Sequence, residues 1–154
     1  YVGYNFEKVK FGQLLFYQVS FPLYSSVTGQ HVNDYNFFLR RDPRTLEDIP
    51  INETVEIGKE MLFSADRNLY CKDNAIALSN FFIFFKGIGG INVTTDNNLT
   101  CSSPHKTTLV RIQNSTVSDI EKIGSDCYVL NVNNCEVLDV TERFIVRAMA
   151  ESKS

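Results

Sequence analysis

Two runs of this chain carry large apolar side chains at odd and even positions alike. Phe11–Phe21 reads FGQLLFYQVSF and Phe81–Phe85 reads FFIFF. Side chains alternate faces along a strand, so an antiparallel sheet with one wet face shows apolar and polar residues in turn. Read as strands, these runs place Phe11, Leu15, Tyr17, Val19 and Phe21 on one face and Leu14 and Phe16 on the other. Likewise Phe81, Ile83 and Phe85 oppose Phe82 and Phe84. Both faces must then be covered. Three arrangements do this: a sandwich strand under a helix or loop, a barrel with an apolar cavity inside and a helix outside, or an interface with a partner.

The rest of the chain repeats the same idiom. Short runs rich in Phe, Tyr, Val and Ile end at Asn, Asp, Ser or Gly, the punctuation of strands. Val9–Leu23 reads as one long bent strand and Tyr35–Arg41 as a second, broken by Asp42-Pro43. Further strands are expected near Ile49–Val55, at Glu60–Ser64, Leu69–Cys71, and at Ala75–Leu78 leading into Phe81–Phe85. Gly87-Ile88-Gly89-Gly90 reads as a tight corner between strands, followed by Ile91–Thr94 and Thr107–Ile112. Cys127–Val132 and Cys135–Val140 flank Asn133-Asn134 as a hairpin would. Ser115–Ile123 has the acidic start of a short helix. Asp139–Glu151 reads as a longer helix, with Asp139 and Glu142 spaced as a capping box and Phe144, Ile145, Ala148 and Met149 on one face. Its β-branched content leaves one long strand over Glu136–Met149 as the alternative. The expectation is therefore a single all-β domain over residues 1–154, an antiparallel β-barrel with a C-terminal helix or else a β-sandwich or jelly roll.

The compartment is read from cysteine and asparagine. Cys71, Cys101, Cys127 and Cys135 form no Cys-x-x-Cys pair and only two histidines are present, so a zinc cluster is not expected. Two disulfides in an oxidising compartment are expected, with Cys71–Cys101 and Cys127–Cys135 favoured because each closes a local loop. Four glycosylation sequons begin at Asn52, Asn92, Asn98 and Asn114, all in polar stretches. A chain beginning at Tyr1 reads as a processed or excised piece whose signal peptide has gone. These features together point to a secreted glycoprotein. A net charge of -3 argues against a nucleic-acid partner, and no apolar run reaches the ~18 residues of a membrane span.

Catalytic chemistry finds little support. His31 and His105 sit in turn-like stretches with no metal-spaced neighbour, and no Gly-x-Ser-x-Gly elbow is present. The glycine-rich corner lacks a Gly-Lys-Ser/Thr ending and leads into a strand, not a phosphate-holding helix start. Glu136, Asp139 and Glu142 include no calcium loop. Glu56 and Glu60 are four apart but lie on no convincing helix. Arg40-Arg41-Asp42-Pro43-Arg44 is a cationic knot, a solvated loop or else a gate or a contact for an acidic partner. No enzyme activity and no cofactor are expected.

One pattern is similar to a known family. Asp126-Cys127-Tyr128-Val129-Leu130 followed by Cys135-Glu136-Val137-Leu138 resembles the late strands of arthropod lipocalins of the tick-saliva type. Phe16-Tyr17-Gln18-Val19-Ser20, Tyr24 and Thr28-Gly29 resemble that family's first strand and turn. Leu138 stands where the family often has Trp, and the chain has no Trp. The resemblance implies an eight-stranded barrel around a small ligand such as a fatty acid, eicosanoid or amine, of which an apolar ligand fits the Phe-rich strands better. In such a barrel Phe16, Tyr17, Phe37, Phe82, Phe84 and Leu109 are the candidate lining residues. The expected function is sequestration of a small hydrophobic ligand. The rival expectation is a β-sandwich that recognises a protein partner through an exposed aromatic sheet face.

Overall fold

The computed structural model describes residues 1–25 and 27–153. The chain opens with three antiparallel strands, β1 (Glu7–Phe11), β2 (Leu14–Tyr24) and β3 (His31–Leu39), in the order β1-β2-β3. The expected single strand over Val9–Leu23 is a hairpin, because Gly12 adopts φ +61° and turns the chain back. That turn pairs Phe11 with Leu14 and Val9 with Phe16, so Phe11 joins the Leu14 and Phe16 face instead of opposing it. A 3₁₀ turn at Thr45–Asp48 follows.

The second half builds a different sheet. Its strands are β4 (Glu60–Ala65), β5 (Asn92–Thr95), β6 (Thr108–Asn114), β7 (Asp119–Ile123) and β8 (Cys127–Val132), in the order β5-β4-β6-β8-β7. All pairings are parallel except β7 with β8. Two helices serve this sheet: α1 (Asn74–Phe82), continued by a wide π-type turn at Ile83–Ile88, and α2 (Val137–Lys153). The all-β expectation is therefore corrected to mixed α/β, and the described strands close neither an antiparallel barrel nor a sandwich of antiparallel sheets. The physical reason lies in β4, β6 and β8. A parallel strand covered on both faces reads as a continuous apolar run, the same signal a two-sided antiparallel strand would give.

Packing follows from the register. Phe63, Val110 and Tyr128 lie side by side on one face of the five-stranded sheet. Phe63 meets Phe81 of α1 at 5.0 Å between ring centroids, and Tyr128 meets Phe144 of α2 at 5.4 Å. Phe81 stacks on Phe144, closing the helix layer. Above the helices lies the three-stranded sheet, whose Phe21 and Phe37 both contact Phe84. The helices are thus held between two sheets. This explains the two-sided Phe81–Phe85 run: it is helical, and a helix with aromatics around its circumference is one buried on several sides. Phe81, Phe84 and Phe85 belong to one continuous core with Val19, Leu39, Met61, Leu130 and Ile145.

Among the described residues no helix covers the opposite face of the five-stranded sheet. There Gln113 donates to Asn131 (3.0 Å) and Asn131 to Asp119 (2.7 Å), a polar ladder across three strands. The loop after β5 covers the remainder: Arg111 donates to Ser64 Oγ and to the carbonyls of Asn97 and Leu99. A disulfide, Cys101–Cys127, ties that loop to β8. The second disulfide is Cys71–Cys135, so the expected pairing of neighbours in sequence is corrected. Parallel strands bring segments together across long connections, and sequence proximity loses its value as a guide.

Other local expectations also change. Leu69–Cys71 and Ile49–Val55 form no strand, and Ser115–Ile123 gives β7 instead of a helix. Asn133-Asn134 is no hairpin tip. Asn134 and Cys135 take positive φ (53° and 57°) and lead directly into α2. The C-terminal helix holds, starting at Val137, two residues before its expected start.

Candidate functional site

A groove of about 490 Å³ opens between the three-stranded sheet and the helix layer. Phe21 of β2 forms its roof, and Phe84, Phe85 and Ile88 of the helical turn form one wall. The loop Val55-Glu56-Ile57 forms another, and Ala148, Glu151 and Ser152 of α2 a third. Tyr4 and Ile91 complete the rim. Its volume lies within the range of small-molecule sites, and its walls are mainly apolar with few polar groups, as such sites require.

Each wall has a local cause. The helical turn ends at the glycine-rich corner, where the Gly89 N–H donates to Phe84 O and the Ile91 N–H to Phe85 O. A Cβ on Gly89 would lie 2.8 Å from Phe85 O, so the turn closes this tightly only with glycine. The loop wall hangs on Tyr128 of β8. Its hydroxyl donates to Thr54 O (3.1 Å) and accepts from the Glu56 N–H (2.8 Å). At the rim the Tyr4 and Ser152 hydroxyls are 2.8 Å apart, joining the N-terminal segment to the end of α2. Glu151 accepts from Arg147 Nε at 3.1 Å.

The structure brings one of the six candidate lining residues, Phe84, to this groove. Phe37 is buried behind it, with ring centroids 5.5 Å apart. Phe82 packs against Phe63, away from the groove. Phe16 lies on the outer face of the three-stranded sheet, in edge-to-face contact with Phe11 and Phe38 and beneath the Arg40 guanidinium (5.3 Å). Tyr17 borders a separate depression near Asp42 and Arg44. Leu109 is buried beside Cys127 in the sheet register, on the face away from the helices. The other lining residues come from segments far apart in sequence, and no local pattern announces Tyr4, Val55 or Ala148 as neighbours.

The carboxylates expected to cap α2 do something else. Glu142 has no solvent exposure, and its two oxygens accept the backbone N–H groups of Arg40 and Arg41 at 2.8 to 3.1 Å. Asp139 accepts from Arg41 Nε at 2.6 Å. Together they fasten the end of β3 to α2. Burial pushes the Glu142 carboxyl up to about 7, against the lowering effect of the Arg40 and Arg41 amides and the Arg41 charge. Within the same knot Arg44 hydrogen-bonds Asp42 and holds its carboxyl below the ordinary value. The cationic knot is thus fixed to the fold at Arg41 and paired with its own Asp42 at Arg44.

His31 and Asp34 are 2.7 Å apart on exposed β3. His105 Nδ1 lies 2.9 Å from Thr107 O. Among the described residues, no group of three or more His, Cys, Asp and Glu side chains is placed to hold a metal ion. The sequon asparagines Asn52, Asn92, Asn98 and Asn114 are all exposed. No helix among the described residues is long and apolar enough to cross a membrane. No family model, curated protein or solved structure matches the chain.

Proposed function

We propose that this is an extracellular binding protein that sequesters a small amphiphile, its apolar part held in the groove beneath Phe21, without chemical conversion. The observation that carries this reading is the groove itself: about 490 Å³, walled by Phe21, Phe84, Phe85 and Ile88. Two disulfides, with four exposed sequon asparagines, support the extracellular, glycosylated part of the reading. The neutral fluorophore N-phenyl-1-naphthylamine tests it. Wild-type protein is expected to enhance its emission saturably. Ala148→Phe, which fills the groove without adding a polar group, is expected to abolish the enhancement. Equal binding by that variant, or none by the wild type, would sink the proposal.

A second reading rests on a different surface. Phe11 and Leu14, 54% and 50% exposed, flank Phe16 and Phe38 on the outer face of the three-stranded sheet. All four sequons lie between residues 52 and 116, outside that sheet. Such a patch suits recognition of a protein partner. Phe11→Asp is expected to abolish a pull-down partner while leaving fluorophore binding intact. Retention of every partner by that variant would exclude this surface.

A further inference from the structure

We propose that the protein partner of the outer patch is an extended segment that adds to the open edge of β1 as a further strand, its side chains alternately acidic and apolar. The proposal rests on the surface around Phe11 and Leu14 being the recognition surface. β1 is an edge of the three-stranded sheet, so one side of its backbone pairs with β2 and the other has no neighbouring strand. Among the described residues no loop or side chain hydrogen-bonds to that side. The other edges are covered at least in part. β5 begins with the sequon asparagine Asn92, where a glycan would stand. Ile120 of β7 donates its N–H to Pro50 O at 3.0 Å. Phe38 O of β3 accepts from Asn80 Nδ2 at 3.1 Å.

The strand itself, Glu7-Lys8-Val9-Lys10-Phe11, says what would pair with it. Successive side chains point to opposite faces. Val9 and Phe11 lie on the outer face with Leu14 and Phe16, and Glu7 stands at the end of that row away from Phe11. Exposed Lys8 and Lys10 lie on the other face, where Lys8 borders a depression lined also by Tyr17, Asp42 and Arg44. Asp42, the only carboxylate among the described lining residues, is held by Arg44 and also feels Lys8. Lys8, Lys10 and Arg44 outnumber it, so this side of the edge is cationic although the chain carries a net charge of -3. Opposite charges on neighbouring strands attract and like charges repel. A segment laid along β1 sets one row of its side chains beside Lys8 and Lys10, which acidic residues suit, and the other beside Val9 and Phe11, which apolar residues suit. The same rule disfavours a second copy of this chain. Two β1 strands paired antiparallel about Val9 put Lys8 opposite Lys10, and a parallel pairing in register puts each lysine beside its own copy. In this mode main-chain bonds supply affinity and the alternating side chains specificity.

Fluorescence anisotropy with short labelled peptides, capped at both ends, tests the assignment. One alternates Glu and Val, one alternates Lys and Val, and two are forms of the first with either alternate set of backbone amides N-methylated. The Glu/Val peptide is expected to bind about tenfold more tightly than the Lys/Val peptide, the scale of two cross-strand ion pairs. The double variant Lys8→Gln, Lys10→Gln is expected to remove most of that difference with its urea midpoint unchanged. One of the two N-methylated forms is expected to lose binding. Equal binding of the Glu/Val and Lys/Val peptides overturns the acidic assignment, and an acidic preference that survives the double variant overturns the role of the lysines. Undiminished binding of both N-methylated forms overturns strand addition. A dimer of the protein alone, or binding to phosphatidylserine vesicles, that Phe11→Asp abolishes gives the patch to that occupant and overturns the proposal. Binding of no peptide, with a pull-down partner still lost in Phe11→Asp, overturns strand addition and leaves the outer patch as a recognition surface. Retention of every partner by Phe11→Asp removes that surface, and this inference with it.

Discussion

Replacing Glu142 by glutamine should change how the stability of this protein depends on pH. The carboxyl is fully buried and is pushed from an ordinary value of 4.5 up to about 7. A group whose folded-state value is raised binds its proton more tightly in the folded chain. Its contribution is therefore complete below about pH 4.5 and is lost as pH rises through about 7. The separation between those two values corresponds, at the limit, to about 3 kcal/mol. That is a large part of the stability of an ordinary domain. Glutamine cannot titrate, so the Glu142→Gln variant loses this component at every pH. Comparison with wild type cancels the titration of groups that do not interact with Glu142. Urea unfolding at pH values from about 4.5 to 8.5 gives both curves. Wild type should be the more favoured of the two at the acid end, and should lose up to about 3 kcal/mol relative to the variant by the alkaline end. A difference that stays constant across the range, or grows in favour of wild type as pH rises, would refute the reasoning. It would mean that the Arg40 and Arg41 amides, not burial, dominate the carboxyl.

The remaining predictions concern stability and the groove wall. The Cys71–Cys135 and Cys101–Cys127 bonds span 64 and 26 residues. Loop-entropy estimates put the losses on removing each pair with serine at about 4 and about 3.5 kcal/mol. Non-reducing peptide maps should link those pairs, and a Cys71–Cys101 peptide would contradict the parallel sheet arrangement. Tyr128→Phe should cost about 1 to 3 kcal/mol by leaving the Glu56 N–H without its acceptor, and should weaken fluorophore binding through the loosened Val55–Ile57 wall. Unchanged affinity would disconnect that hydroxyl from the groove. Phe81→Ala should cost about 3 to 5 kcal/mol in thermal or urea unfolding. Phe11→Ala should cost little, and comparable losses would place Phe11 in the core.

Several features were legible because they are local. The strands expected at Glu60–Ser64, Thr107–Ile112 and Cys127–Val132 overlap β4, β6 and β8, the second starting one residue early. The helix around Phe144 follows from its apolar face. The direction of pairing was not legible, because a doubly covered parallel strand and a two-sided antiparallel strand present the same run of apolar residues. Asp139 and Glu142 illustrate the same limit. Their spacing fits a capping box, yet α2 begins at Val137 and both side chains reach across to residues about a hundred positions earlier.

Apolar periodicity, cysteine number and sequon spacing are properties of short segments, and the sequence by itself determined them. It required that Phe81–Phe85 be covered on every side and that the four cysteines be available to pair. Only the tertiary structure decided that the cover is two sheets around a helix, that Cys71 reaches Cys135, and that Tyr4, Phe21, Glu56 and Ser152 border one groove. The physical reason is distance along the chain. These contacts form only when parallel strands and their crossover helices have been assembled, and no local preference encodes that assembly.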